Sequence, residues 1–282
     1  MPSRIRLLRR LPSLTQTPSF ATDPVDPQRL KRATGLTTVE VLAEACSTMD
    51  RAREIVADPA CPLPAAIVAD RQTLGRGRRA ARWWQPPGSL AVSLVVDAAA
   101  GPRPIWSLAC GVAVAEAIRS LEPNVAAVVR WPNDVEVDGR KLAGILVEAS
   151  PTGRTIFGIG VNTTGSVHTA PKGLRHRLVT LPDLTGRTLP RQRLLDALVP
   201  RLLRLLVDLE ADPNALESRY RSLCALNGTF VRVHSPTGVH AGTCRGIAAD
   251  GALVLDTEAG LVLLRSGSLT PPGDEWRGDA AG

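Results

Sequence analysis

Apolar and polar positions along the chain fall into two textures. "TTVEVLAEA" (37–45) reads as an extended run. "STMDRAREIVAD" (47–58) reads as a helix with Ser47 as its N-cap and Asp50 three residues on, close to a capping box. "AAIVAD" (65–70) and "SLAVSLVV" (89–96) read as strands, and "IWSLACGVAVAEAIRSL" (105–121) as a mostly buried helix. In "VAAVVRWPNDVEVDGRKLAGILVEAS" an Asp138-Gly139 pair sits between alternating segments, a strong two-residue hairpin signal. "TIFGIGVN" (155–162) is a further strand, "RQRLLDALVPRLLRLLVDLE" an amphipathic helix broken or kinked near Pro200, and "NALESRYRSLCAL" the last helix. After Asn227 only short strands follow: "TFVRVHSP", "GVHAGTCRGIAADG", "ALVLDTEAG" and "LVLLRSGSL", enough for a small β-barrel.

The pattern therefore predicts an α+β body followed by a β domain. Residues 1–36 are rich in Pro, Thr and Arg without clear periodicity and read as a tail. The body spans 37–226, the β domain 227–272, and 273–282 forms a second tail.

Composition narrows the chemistry. With 44% hydrophobic residues the chain is globular. Five cysteines without a C-x-x-C pair read as reduced, buried thiols of a cytosolic protein, and four histidines match no zinc or triad spacing. No stretch reaches the ~20 apolar residues that span a bilayer. The first twenty residues carry four arginines and no acid, a composition shared with organelle transit peptides. The net charge of +7 permits an anionic partner without requiring one. Lysine occurs only at Lys31, Lys141 and Lys172, so a retained lysine marks a place where a compact point charge matters more than a planar fork.

Two stretches carry candidate chemistry. "GRGRRAARWW" (75–84) gives Arg71, Arg76, Arg78, Arg79 and Arg82 no acidic neighbour between Asp70 and Asp97. Gly75 and Gly77 let backbone N–H groups approach an anion, and Trp83–Trp84 can stack on a flat ring. The loop is neither a P-loop nor a dinucleotide fingerprint, since it lacks the G-K-[ST] ending and the G-x-G-x-x-G leading into a helix. A solvated basic loop and a ligand lid are its two readings. In the hairpin, the Asp-Gly turn puts Val137 opposite Arg140, Glu136 opposite Lys141 and Val135 opposite Leu142. Asp134 is then diagonal to Lys141 on the same face, at about 7–8 Å between Cα atoms. Either this is a solvent-facing ion pair, or Lys141 is a fixed cation for a carboxylate or phosphate, oriented by Asn133 and Asp134. Ser47 and Thr48 serve as a cap or as an anion-binding helix start, and Gln72 is a candidate hydrogen bonder to a small polar ligand.

"CSTMD", "DRQTLGRGRRAARWW", "RWPNDVEVDGRKLAGILVE" and "GIGVN" occur in the order and at the spacings of the biotin protein ligases, which the chain resembles over roughly residues 37–270. The resemblance implies a mixed β-sheet flanked by helices, a class II synthetase-like core shared with lipoate ligases, and a small C-terminal SH3-like domain. It implies a two-step reaction: biotin and ATP give biotinyl-5′-AMP and pyrophosphate, and biotin then passes to a lysine of a biotin carboxyl carrier protein. By the same resemblance Ser47, Thr48, Met49 and Gln72 bind biotin, and Arg76, Gly77 and Arg78 close over the adenylate. Trp83 packs by the adenine, Asn133 and Asp134 lie in the nucleotide region, and Lys141 contacts the biotin carboxylate and the α-phosphate. Lys141 and Arg76 are the catalytic candidates. Mg²⁺ is implied with ATP, its ligands unassigned.

Ala80 stands where the family often has glycine, and Met49 replaces the polar residue common after Ser-Thr. Only 36 residues precede the core, too few for the winged helix-turn-helix of bifunctional members, so no DNA binding is expected. A cytoplasmic monomer or weak homodimer without a membrane partner is the expectation. The alternatives are a lipoate ligase on the same fold, an arginine-driven nucleic-acid binder, and an inactive biotin-binding homologue.

Overall fold

The computed structural model describes residues 23–97 and 104–270, so the N-terminal segment 1–22 and the tail 273–282 lie outside the described residues. The sheet of the body has seven strands: β1 (Thr38–Ala45), β2 (Ala65–Gln72), β3 (Leu90–Asp97), β4 (Val128–Arg130), β5 (Asp134–Val137), β6 (Arg140–Ala149) and β7 (Arg154–Val161), in the order β1-β2-β3-β7-β6-β5-β4. β1 and β2 are parallel, joined by the crossover helix α2 (Thr48–Ala57), and every other neighbour is antiparallel. Helix α3 (Pro104–Leu121) crosses one face of this sheet, with α5 (Arg191–Ala211) packed on it. α3 is apolar on all sides because it is covered on both, by β6 beneath and α5 above. It is the one described helix long and apolar enough to cross a membrane, and it is mostly buried.

A helix, α1 (Pro27–Thr34), stands where the sequence reading put a featureless tail up to residue 36. Its signals are local: Asp26 caps the N-terminus by accepting from the Gln28 and Arg29 N–H groups, Pro27 occupies the first turn, and Gly35 closes the other end in the left-handed region at φ 76°. Leu30 is fully buried, and the helix packs on β1 and α5. The expected break at Pro200 is absent as well. α5 is continuous through it. An interior proline costs about 3 kcal/mol, but Leu194, Leu195, Leu198, Leu202 and Leu205 are each fully buried, and each such side chain contributes roughly 1.5–3 kcal/mol. The packed stripe outweighs the lost hydrogen bond.

Helices α4 (Leu181–Thr185) and α6 (Glu217–Leu223) lead to the C-terminal sheet. Its strands are β8 (Phe230–Ser235), β9 (Gly238–Ile247), β10 (Leu253–Thr257), β11 (Gly260–Leu264) and β12 (Ser268–Leu269), antiparallel in the order β11-β10-β9-β8-β12. This five-stranded antiparallel sheet is consistent with the expected SH3-like domain, although among the described residues no pairing closes β11 onto β12. It docks on the body through apolar side chains, Val233, Leu253 and Leu255 joining the core that holds Trp131 and Tyr220, and through backbone hydrogen bonds. The Ile105 N–H, one of the donors a helix start leaves unpaired, reaches the Asp250 carbonyl at 3.2 Å. The thiols are all unpaired, as expected, but only Cys110 and Cys244 are buried, while Cys46 is exposed.

Candidate active site

The start of α2 and the end of β2 meet at a polar cluster. Ser47 caps α2, its hydroxyl accepting from the Met49 N–H at 3.3 Å. Asp50 does not close a capping box; its carboxylate pairs instead with Arg53 at 2.6 Å and Arg76 at 2.5 Å. Gln72 Oε1 accepts from the Thr48 N–H at 2.9 Å and from Thr48 Oγ1 at 3.3 Å. Two residues the sequence reading missed complete the cluster. Ser93, fully buried on β3, donates to Thr48 Oγ1 at 2.7 Å, and Gln85 Oε1 accepts from the Gln72 N–H at 3.1 Å. Their signal was a lone hydroxyl inside "LAVSLVVD" and a lone amide after two tryptophans. With its oxygen saturated by Thr48, Gln72 has only a 3.5 Å contact from its Nε2 to Gln85. That amide is left facing the cavity as a donor.

The arginine loop folds back on itself. Arg76 bridges Arg82, the Gly77 N–H donates to the Ala81 carbonyl at 2.7 Å, and the Trp83 N–H donates to the Gly75 carbonyl at 2.9 Å. A short 3₁₀ turn, Arg78–Ala80, forms its tip. The Ala80 side chain, where the sequence departs from the family, lies outside the described residues. Arg78 donates to Asn133 Oδ1 at 3.2 Å, while Asn133 Nδ2 is anchored on the Ile145 carbonyl at 2.8 Å. Burial, then the charge of neighbouring Arg79, pulls the Arg78 guanidinium below its ordinary value. Its hydrogen bonds among the described residues go to neutral oxygens, and the Asp134 carboxylate only partly offsets its desolvation. Arg71 stands apart from this group, exposed on β2 and paired with Glu44 at 2.7 Å.

The hairpin turn forms as read, with Asp138 at φ 50° and Gly139 at φ 70°. Val137 faces Arg140 and Glu136 faces Lys141 as expected, but the ladder then slips: Val135 faces Ala143, not Leu142, and Asp134 faces Gly144. A β-bulge absorbs the extra residue. Its cause is tertiary, because Lys141 uses its N–H on the Arg177 carbonyl at 2.8 Å and its carbonyl on the Val179 N–H at 3.0 Å. Across the bulge Lys141 Nζ lies 2.6 Å from Asp134 Oδ1, so the two side chains form the ion pair that the hairpin indicated. Neither side chain is solvent-facing, at 28% and 27% exposed. Glu136 is buried, and burial pushes its carboxyl up against the opposing pull of Arg130, 3.6 Å away.

A glycine floor carries the aromatic wall. A Cβ on Gly160 would lie 2.5 Å from the Trp83 indole, and one on Gly144 3.0 Å from it, so the ring rests flat on β6 and β7 where side chains are missing. Met49 Sδ occupies the same place over Gly158, at 2.6 Å. Lys141 Nζ lies 5.5 Å from the Trp83 ring centroid, a cation–π distance. Trp83 Nε1 is buried without a hydrogen-bond partner.

All eleven candidate residues, Ser47, Thr48, Met49, Gln72, Arg76, Gly77, Arg78, Trp83, Asn133, Asp134 and Lys141, line one cavity of about 270 Å³. Hydroxyl and amide groups mark one part of its wall and cations another. A second cavity of about 300 Å³, walled by Trp84, Leu174, Leu178 and Leu269, shares Trp83, Asp134 and Lys141 with the first. Among the described residues no group of three or more His, Cys, Asp or Glu could hold a metal ion.

The model of the Biotin/lipoate A/B protein ligase family matches residues 45–164. The biotin–[acetyl-CoA-carboxylase] ligase of Mycobacterium tuberculosis is 31% identical over 84% of this chain and 85% of its own length. The bifunctional ligase/repressor BirA of Escherichia coli is 31% identical over 74% of this chain and 65% of its own length. Among solved structures, the biotin protein ligase of Aquifex aeolicus in complex with biotin and ATP is similar with a TM-score of 0.74, at 26% identity, over 83% of this chain and 98% of that one.

Proposed function

The chain belongs to the biotin protein ligases, and from that membership we infer how its cavity works. It is an ATP-dependent ligase that forms biotinyl-5′-AMP from biotin and ATP and transfers biotin to a lysine of a carboxylase carrier protein. The observation that carries the site assignment is one cavity with a neutral polar part and a cationic part, joined by an aromatic wall. Biotin has the complementary shape: a polar ring system, an apolar chain and a carboxylate.

In this reading Ser47, Thr48 and Gln72 take the ureido ring, with Met49 and Trp83 packing on the apolar body. The carboxylate oxygen attacks the α-phosphorus of ATP and pyrophosphate leaves. Both reactants are anionic, so placed cations lower the barrier without a covalent nucleophile. Lys141 and Arg76 are those cations, and Arg78 closes over the adenylate once it has formed. Lys141 rests on Asp134 and Arg76 on Asp50, and an entering carboxylate or phosphate replaces each carboxylate partner. In the second step the amine of the carrier lysine attacks the acyl carbon, AMP leaves, and the amine gives up a proton. Asn133 and Asp134 border the nucleotide, and the second cavity, with Trp84 and its leucines, offers the base an apolar wall. Mg²⁺ would enter with the ATP, held mainly by phosphate oxygens, since among the described residues no group of three or more His, Cys, Asp or Glu is gathered.

The body, 37–226, is the catalytic domain and 227–272 the accessory one. A cytoplasmic protein that binds neither DNA nor membrane, monomeric or weakly dimeric, completes the reading. The deciding assay is pyrophosphate release with MgATP, comparing biotin with lipoate, followed by intact mass of an added carrier domain. Biotin-dependent release and one biotinyl mass added are expected; release with lipoate alone overturns the substrate assignment, and silence with both overturns the reaction.

A further inference from the structure

The arginine loop is held by the C-terminal sheet at the rim of the cavity, which Arg79 and Ser268 also line. Arg79 donates to Ser268 Oγ at 2.7 Å, and Arg78 reaches the Gly267 carbonyl at 3.4 Å, across 189 residues of chain. Gly267 and Ser268 form the entry to β12, at the edge of the C-terminal sheet beside β8. Trp131 fixes their position. It is buried, its Nε1 donates to the Gly251 carbonyl at 3.3 Å, and a Cβ on Gly267 would lie 3.5 Å from its ring and 2.6 Å from Val233. A side chain at 267 would thus push β12 off its seat. Two residues further on, Asn133 holds Arg78 from the other side. The W-P-N-D stretch therefore seats the C-terminal sheet with its tryptophan and the arginine loop with its asparagine.

Arg79 itself stands at φ 53°, in the left-handed region. That conformation is unfavourable for a side-chain-bearing residue and persists where surrounding contacts hold it. Its side-chain partner is Ser268.

We propose that Ser268 is a positioning residue: through Arg79 it clamps the arginine loop over the cavity, so that the C-terminal sheet sets how long the adenylate is retained. The clamp is a contact of the ligand-free chain, while its effect on retention rests on the ligase reading above. Ser268 acts on the loop that carries Arg76 and Arg78 and takes no part in the bond exchange.

Limited trypsinolysis of the ligand-free protein, with fragment masses, measures loop opening at Arg76 and Arg82 without reference to any reaction. Ser268→Ala is expected to speed cleavage there about three- to tenfold, the worth of one hydrogen bond. Arg79→Ala should do the same, the double variant no more than either single one, and Ser268→Thr should restore the wild-type rate. With biotin and MgATP, Ser268→Ala should form adenylate at the wild-type kcat yet release it several-fold faster, read as biotin on bystander lysines. Wild-type cleavage rates in Ser268→Ala, or additive effects in the double variant, overturn the clamp. Faster cleavage with unchanged retention overturns its role in the reaction. Absence of biotin-dependent pyrophosphate release by the unmodified chain overturns the ligase reading instead, and the proteolysis result still decides the clamp.

Discussion

Lys141 is one of three lysines in a chain whose basic residues are otherwise arginine, and its surroundings explain why a compact ammonium suits the place. It fits between Asp134 and the face of Trp83, where a planar guanidinium would need room for a fork. Its pair with Asp134 is partly exposed and contributes under about 1 kcal/mol to stability. Lys141→Ala is therefore expected to leave the unfolding midpoint unchanged while adenylate formation falls at least about 10²-fold, the usual loss when one charge-stabilising donor is removed. Pyrophosphate release beside a thermal melt checks both halves; near-normal adenylation would sink the mechanism. Arg78 answers to a different measurement. In the proposed reading its desolvated guanidinium closes over the adenylate, and a charge-assisted bond of about 1.5–3 kcal/mol corresponds to roughly ten- to a hundredfold in escape rate. Arg78→Gly should accordingly label bystander lysines while still making adenylate. Tight retention with unchanged carrier selectivity contradicts that role.

Among the elements, the β5–β6 hairpin and α5 depart most from what their own sequences indicate. The Asp-Gly turn sets the hairpin, but its register slips beyond Glu136, where segment 177–179, more than thirty residues away, pairs with the backbone of Lys141. Nothing within the hairpin announces it. α5 carries Pro200 in its interior without a break, held by its contact with α3. Replacing that proline restores a backbone donor and removes a clash without touching the buried leucines. Pro200→Ala is expected to stabilise the chain by up to about 3 kcal/mol, measured by denaturant titration with an unchanged m-value. Destabilisation would mean that the proline shapes the α3 contact.

Across the whole molecule, the N-terminal segment and the sheet share a buried charge. Arg191, 1% exposed at the start of α5, donates to Asp70 at 2.7 Å, and its backbone N–H donates to the Asp23 carboxylate at 2.6 Å. Asp23 thereby does for α5 what a neighbouring N-cap does elsewhere, from 168 residues away. Asp70→Ala leaves the buried Arg191 with only the Asp23 carboxylate at 3.5 Å and the Asp23 carbonyl, so it should cost about 1–3 kcal/mol. The check is an equilibrium unfolding curve; a loss under about 1 kcal/mol would mean that Asp23 alone satisfies the arginine.

Much of this protein was legible in its residues one stretch at a time. Apolar period, the Asp-Gly turn, the Ser47 cap and the clustered arginines are short-range signals, because strand alternation, left-handed turns and helix caps are fixed by neighbours within a few positions. The family motifs added the candidate site in the same local way. What stayed hidden depends on contacts whose partners are far apart in sequence. The Ser93–Thr48–Gln72 relay, the glycine floor under Trp83, the bulge at Lys141, the distant cap at Asp23 and the Ser268 clamp each join segments that only packing brings together. Buried polar groups must find partners, and close-packed rings need missing side chains beneath them. The sequence records the residues but not which of them will meet.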